Sequence, residues 1–210
     1  MRDYLEAIRK GVVVYDGGMG ATLEQFELTQ EDYGGLQGKC HEALILHRPD
    51  VIEGVHHSMV EAGAEVIETD TFQASRLKLD EWGLADHTLE INRKAAEIAR
   101  KAVGEERFVA GSIGPTGHLP ASDDPTLGRI TFRELFEVFA EQAQGLLEGG
   151  ATPPSHPAGS GTCLFRGTAV VACRIAIRHT PRAGRDPVRP CRRLGSLTLP
   201  RLCQGWRFRW

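Results

Sequence analysis

Residues 11–20 read GVVVYDGGMG. Three consecutive valines and a tyrosine run without a polar break into Asp16-Gly17-Gly18. A short apolar run rich in β-branched side chains predicts a strand covered on both faces. The Asp-Gly-Gly that ends it predicts a turn, or a place where the backbone comes close to a ligand. A strand covered on both faces belongs to a parallel sheet layered with helices, so the reading is tested by whether the pattern recurs.

It recurs twice. Before the quoted stretch, Met1–Lys10 reads as a short amphipathic helix. After it, Asp50 is expected to open a helix with Glu53 as its capping-box partner. Val51, Val55, Met59 and Ala62 form its apolar stripe, Ile52 and Val60 widen it, and Gly63 ends it. Ala64–Glu68 (AEVIE) is the second expected strand and runs into Glu68-Thr69-Asp70-Thr71-Phe72. Two helical stretches follow, the second over Thr88–Val103 with Ile91, Ala95, Ile98 and Ala102 in register. Arg107–Ala110 (RFVA) is the third expected strand, leading into Gly111-Ser112-Ile113-Gly114-Pro115-Thr116-Gly117. Thr131 with Glu134 then caps a helix whose stripe is Phe132, Leu135, Phe136, Phe139, Ala143 and Leu146, closed by Gly149-Gly150. Strands alternating with helices imply an α/β fold with parallel pairing and right-handed crossovers.

In a (β/α) barrel the three small polar loops would share one face, where such folds place their chemistry. There Asp16 could hold an amine and Thr69 could hydrogen-bond a carboxylate. Gly17 and its neighbours would admit a ligand close to the backbone. GGMGAT is not a dinucleotide fingerprint and no Walker-type lysine follows, which disfavours nucleotide binding.

The pattern breaks after Gly150. Residues 1–150 hold 14 Lys and Arg against 27 Asp and Glu, whereas residues 151–210 hold 11 Arg against the single acid Asp186. The tail contains no Glu, Lys, Asn, Tyr or Met, and seven of the chain's 11 prolines. Globular surfaces use Glu and Lys freely, so this composition suggests GC-rich coding sequence read in the wrong frame; the alternative is a genuine Arg/Pro-rich disordered tail. A fourth strand is due at residue 151. ATPPSHPAGSG stands there instead, and its prolines forbid a central strand. Thr168–Cys173 (TAVVAC) could form an isolated strand. The expected domain division is therefore 1–150 and 151–210. The amino terminus has charges where a signal peptide needs an apolar core. No apolar run approaches the roughly 18 residues of a membrane span, and one cysteine in 150 residues argues against a disulfide framework. The expected compartment is the cytoplasm.

Four stretches in order carry a resemblance: DGGMGATLEQ, KCHEALILHRPDVIEGVHHSMVEAGAEVIETDTFQAS, RFVAGSIGPTGHLP and DPTLGRITFRELFEVFAEQAQGLLEGG. Over residues 8–150 the chain resembles the homocysteine S-methyltransferase family. It is most similar to the homocysteine-binding module of the cobalamin-dependent methionine synthase branch, which DPTLGRITF favours over the betaine-dependent relatives. The resemblance implies a (β/α)8 TIM barrel, of which about three β/α units are present here. It also implies methyl transfer to the sulfur of homocysteine, giving methionine. In the family a zinc ion on three cysteines holds that sulfur as thiolate, the nucleophilic form. Methylcobalamin, recharged from methyltetrahydrofolate on separate modules, supplies the methyl group. By resemblance Asp16 and Gly17 contact the homocysteine amino group or backbone, and Thr69 meets its polar end.

The chain also departs from the family. ETNTF is usual where this sequence has Glu68-Thr69-Asp70-Thr71-Phe72, which adds a negative charge near the site. The substrate-binding Glu of a fourth strand and the zinc cysteines are missing. Cys163, Cys173, Cys191 and Cys203 form no adjacent pair and no CxxC, so zinc is not expected to bind. Cys40 is expected to be a small buried hydrophobe, and His56 and His57 to be packed or surface histidines. An incomplete barrel leaves its third strand with an open edge and predicts marginal folding. The leading expectation is a homocysteine methyltransferase portion without activity of its own. Two other readings stand beside it: a protein that binds a thiol amino acid without chemistry, and a nucleic-acid binder using the tail arginines with Trp206 and Trp210. Scattering of those arginines among prolines, with no basic helix face, disfavours the last.

Overall fold

The computed structural model describes residues 4–36, 40–118, 128, 130–151 and 165–167. The chain divides into two compact units, Met1–Thr180 and Pro181–Trp210, and the second lies wholly outside the described residues. So do TAVVAC, Cys163, Cys173, Cys191, Cys203, Trp206, Trp210 and most of DPTLGRITF.

Helix α1 spans Tyr4–Lys10. The valine run after it forms no regular strand: Tyr15 makes one isolated parallel bridge to Val66, and Val12 is 90% exposed. This corrects the expected two-sided burial. The run pairs along one edge only, through the Val14 carbonyl and the Asp16 N–H, and nothing among the described residues covers Val12. Gly18, at a left-handed φ of 69° that disfavours side chains, turns the chain into a short helix α2, Met19–Leu23, which the periodicity did not announce.

Helix α3 (Leu44–His47) leads into α4 (Pro49–Glu61). The expected capping box at its start does not form. Pro49 takes the first helical turn, where its missing N–H costs nothing, and Asp50 pairs with Arg48 at 2.8 Å. Glu53 is drawn away to Lys101 at 2.7 Å. Gly63, at a φ of 103°, ends the segment as expected.

Strand β1 (Val66–Glu68) is followed by α5 (Arg76–Asp80) and α6 (Thr88–Val103). Strand β2 (Phe108–Ile113) is buried along its length and pairs parallel with β1, Val66 opposite Phe108. It runs three residues past Ala110, so Gly111-Ser112-Ile113 is strand where a loop was expected. Those residues pair parallel with β3 (Phe165–Gly167). The expected open edge of the third strand is thus covered over that length, since unpaired strand groups accept any extended segment in reach.

Helix α7 (Phe132–Glu148) carries both halves of the predicted capping box: Glu134 N–H donates to Thr131 Oγ1 at 3.2 Å, and Thr131 N–H donates to the Glu134 carboxylate at 2.7 Å. One core cluster joins α6 and α7 to the sheet through Ala96, Ala99, Val103, Val109, Ile113, Ala143 and Leu146. The two helices approach so closely that a Cβ on Gly149 would lie 2.1 Å from the Arg93 carbonyl. A second cluster packs α4 and α6 around Val51, Ile52, Val55, Ile91 and Ala95.

Candidate functional site

The loops after Tyr15 and β1, the end of β2 and the segment Cys40–Glu42 close around a cavity of about 340 Å3. The three residues named from sequence, Asp16, Gly17 and Thr69, all line it. Asp16 and Thr69 are placed by backbone pairing, Thr69 N–H donating to the Ala110 carbonyl at 2.9 Å. Asp16 N–H donates to the Val66 carbonyl at 3.0 Å, and both carboxylate oxygens accept the Glu68 N–H at 3.1 Å. Asp16 is therefore clamped across to β1. Over Gly17 and Gly18 an added Cβ would meet nothing within 4 Å, so their backbone faces open cavity.

Thr69 sits in a chain of hydroxyls. Thr71 Oγ1 donates to the Ser112 carbonyl at 2.7 Å, so the 2.6 Å contact between Thr69 and Thr71 has Thr69 donating. Thr69 Oγ1 also accepts the Ser112 N–H at 3.0 Å. Its one proton is spent inside the wall. It offers a ligand a lone pair, and the donor role toward a carboxylate is not available in this arrangement. Gly114 serves the same wall. Its N–H donates to the Phe72 carbonyl at 2.9 Å, and a Cβ there would lie 2.3 Å from that oxygen. Part of the glycine content of the third loop thus answers to loop-on-loop packing.

Sequence reasoning missed one buried acid, Glu42, and gave Asp70 only as an added charge near the site. Glu42 is 7% exposed: its Oε1 accepts the Gln73 N–H at 2.8 Å and its Oε2 faces Cys40 Sγ at 3.8 Å. An acid inside the apolar run HEALIL was the available signal. Asp70 is 8% exposed, and its Oδ2 is buried without a hydrogen-bond partner. Burial, reinforced by the Glu42 charge, pushes its carboxyl well above the usual range. The extra negative charge expected at this position is accordingly disfavoured by its surroundings. Gln142 of α7, also missed, is fully buried and donates to the Thr71 carbonyl at 2.8 Å, tying the helix to the loop.

Cys40 is buried as expected, and burial and the neighbouring Glu42 push its thiol up to about 12. It is a poor thiolate and a poor metal ligand. His56 is buried on α4 with both ring nitrogens unpartnered, and burial lowers its pKa to about 4. His57 pairs with Glu53 at 3.6 Å. Among the described residues no three His, Cys, Asp or Glu side chains gather where they could hold a metal ion. Among them, too, no helix is long and apolar enough to cross a membrane.

Among the described residues, the cavity wall contains four acids, Asp16, Glu42, Glu68 and Asp70, and neither Lys nor Arg. Such a wall suits a small ligand bearing an ammonium group. A family model described as homocysteine S-methyltransferase matches residues 13–152. Methionine synthase of Mycobacterium leprae (strain TN) is 39% identical over 155 residues, which is 71% of this chain and 12% of that protein. Methionine synthase of Mycobacterium tuberculosis (strain ATCC 25618 / H37Rv) is 37% identical over the same length and shares. The chain therefore spans about an eighth of the length of these curated relatives. Among solved structures, the metallated form of the homocysteine methyltransferase MmuM from Escherichia coli matches with a TM-score of 0.51 at 24% identity, over 70% of this chain and 54% of that one. That likeness shows a shared fold. With the family match spanning all three loops that build the cavity, the chain belongs to the homocysteine S-methyltransferase family.

Proposed function

We propose that the cavity is a homocysteine site and that this chain carries the substrate-recognition portion of a methyltransferase making methionine. The observation that carries the reading is the convergence of Asp16, Gly17 and Thr69 on one acid-rich cavity within the family match. Asp16, with its carboxylate oriented by the Glu68 N–H, takes the amino group. The open backbone at Gly17 and Gly18 lets the amino-acid end approach. Thr69 offers its lone pair to an N–H of the same end.

The reading includes a boundary near residue 150, supported by the break in composition there and by the end of the family match at residue 152. It also holds that the chain alone binds without turning over. Among the described residues no metal-holding group of side chains gathers, and the tail cysteines have no spacing suited to zinc. Methylcobalamin and methyltetrahydrofolate modules, a cytoplasmic setting and the complete barrel belong to this reading only through the resemblance of the sequence to the family. Calorimetric titration of the full chain with L-homocysteine tests it. Saturable binding that Asp16→Ala weakens at least tenfold supports the reading, since loss of a charge-assisted hydrogen bond costs roughly 1.5–3 kcal/mol. Equal binding by the variant removes Asp16 from the site, and turnover by the chain alone refutes the inactive reading.

A further inference from the structure

Asp70 stands in the cavity wall with an unanswered hydrogen-bonding group. Its Oδ2 is buried and unpartnered, while the side chain lines the cavity beside Glu42. Glu42 does not relieve it: no polar atom of Glu42 reaches Oδ2 within hydrogen-bond distance, and its own oxygens accept from the Gln73 N–H and face Cys40 Sγ. Among the described residues, neither Lys nor Arg lines the cavity to supply a counter-charge. The other titratable groups around the same space are Asp16, Glu68, His41 and Cys40. A buried carboxyl in that position has two stable states: it keeps a proton, or it meets a donor that enters from the cavity.

We propose that Asp70 is a specificity-determining residue: its carboxyl group takes the ammonium group of an amino-acid ligand and releases its own proton to solvent as it does so. The inference rests on the homocysteine reading of the cavity and adds a residue and a proton to it. In the free chain, burial and the Glu42 charge both favour the protonated form of Asp70. The ligand arrives as R–NH3+ and keeps its three protons. The carboxyl O–H bond breaks, the proton goes to buffer, and the new contact is a charge-assisted N–H···O hydrogen bond. Where the family usually has an amide, this chain would gain discrimination in favour of a primary ammonium and a binding step coupled to pH.

The test is calorimetry of the full chain with L-homocysteine at pH 7 in phosphate and in Tris, two buffers of different ionisation enthalpy. The proposal expects an apparent enthalpy that differs between the buffers by release of up to about one proton per ligand. Asp70→Asn should bind with no buffer dependence. 4-Mercaptobutyrate, which lacks the amine, should cause no release from the unaltered chain, so a variant that fails to fold does not leave the question open. Homocysteine binding with the same enthalpy in both buffers, or equal release by Asp70→Asn, overturns the Asp70 role and leaves the homocysteine site standing. Absence of homocysteine binding in both buffers overturns both.

Discussion

Replacing Gly145 by alanine sets two effects of known size against each other. A glycine in a helix interior costs about 1 kcal/mol relative to alanine, so the substitution would ordinarily stabilise α7. At this position the new Cβ would lie 2.8 Å from the Leu89 carbonyl and 2.9 Å from Asn92 Cβ. Ordinary carbon contacts are about 3.5–4.0 Å, so the shortfall is about 0.6–1 Å. The Leu89 oxygen belongs to the backbone of α6 and cannot swing aside, so the two helices must separate. Overpacking of this kind costs about 1–3 kcal/mol. The net expectation is a loss of about 1 kcal/mol. Gly54 supplies the control: it lies within α4, and a Cβ there meets nothing within 4 Å. Gly54→Ala should therefore stabilise by about 0.5–1 kcal/mol. Urea denaturation should place the two variants about 1 M apart in midpoint, on opposite sides of the unaltered chain, given slopes of roughly 1–3 kcal/mol per molar. A Gly145→Ala midpoint that rises like that of Gly54→Ala would refute the close packing of α6 on α7.

Two further outcomes can be measured in the same way. His56 has a folded pKa lowered to about 4 against a usual 6.5, so the unfolded chain binds its proton first as pH falls. Its contribution is present above pH 6.5 and is lost toward pH 4, by about 1.4 kcal/mol per unit within that window. Relative to His56→Leu, the unaltered chain should lose about 2 kcal/mol between pH 7 and pH 5, and parallel pH profiles would contradict the burial of that ring. Thr71→Val keeps the side-chain shape but strips the donor from the Ser112 carbonyl, and should cost about 1–3 kcal/mol in urea unfolding. A neutral result would mean that the hydroxyl chain through Thr69 does not hold the cavity wall.

Much of the scaffold was legible because its cues are local. Helix α6 was read to its end residues from a 3.6-residue stripe, and α7 from a Thr-x-x-Glu box followed by the same periodicity. Edges were less legible because they depend on neighbours. GVVVY reads as a core strand by composition, yet pairs along one side and leaves Val12 in solvent. Gly111-Ser112-Ile113 reads as a loop, yet continues β2 once β3 lies beside it. The α4 cap failed because Pro49 and Arg48 competed for the roles given to Asp50 and Glu53. At the site, Asp16, Gly17 and Thr69 were visible as small polar residues after apolar runs. Glu42 and Gln142 were not, and Asp70 was visible only as an added charge, since their roles arise from burial against segments distant in sequence.

The central claim is that the acid-rich cavity between the loops after Tyr15 and β1 and the end of β2 is where homocysteine binds. Amide chemical-shift mapping of the 15N-labelled full chain with L-homocysteine tests it most directly. The account predicts saturable shifts at Gly17, Gly18, Thr69, Asp70 and Ser112, all on that wall. Shifts confined to the separate groove of Phe132, Phe136 and Ala140 on α7, or no shifts at saturating ligand, would contradict it.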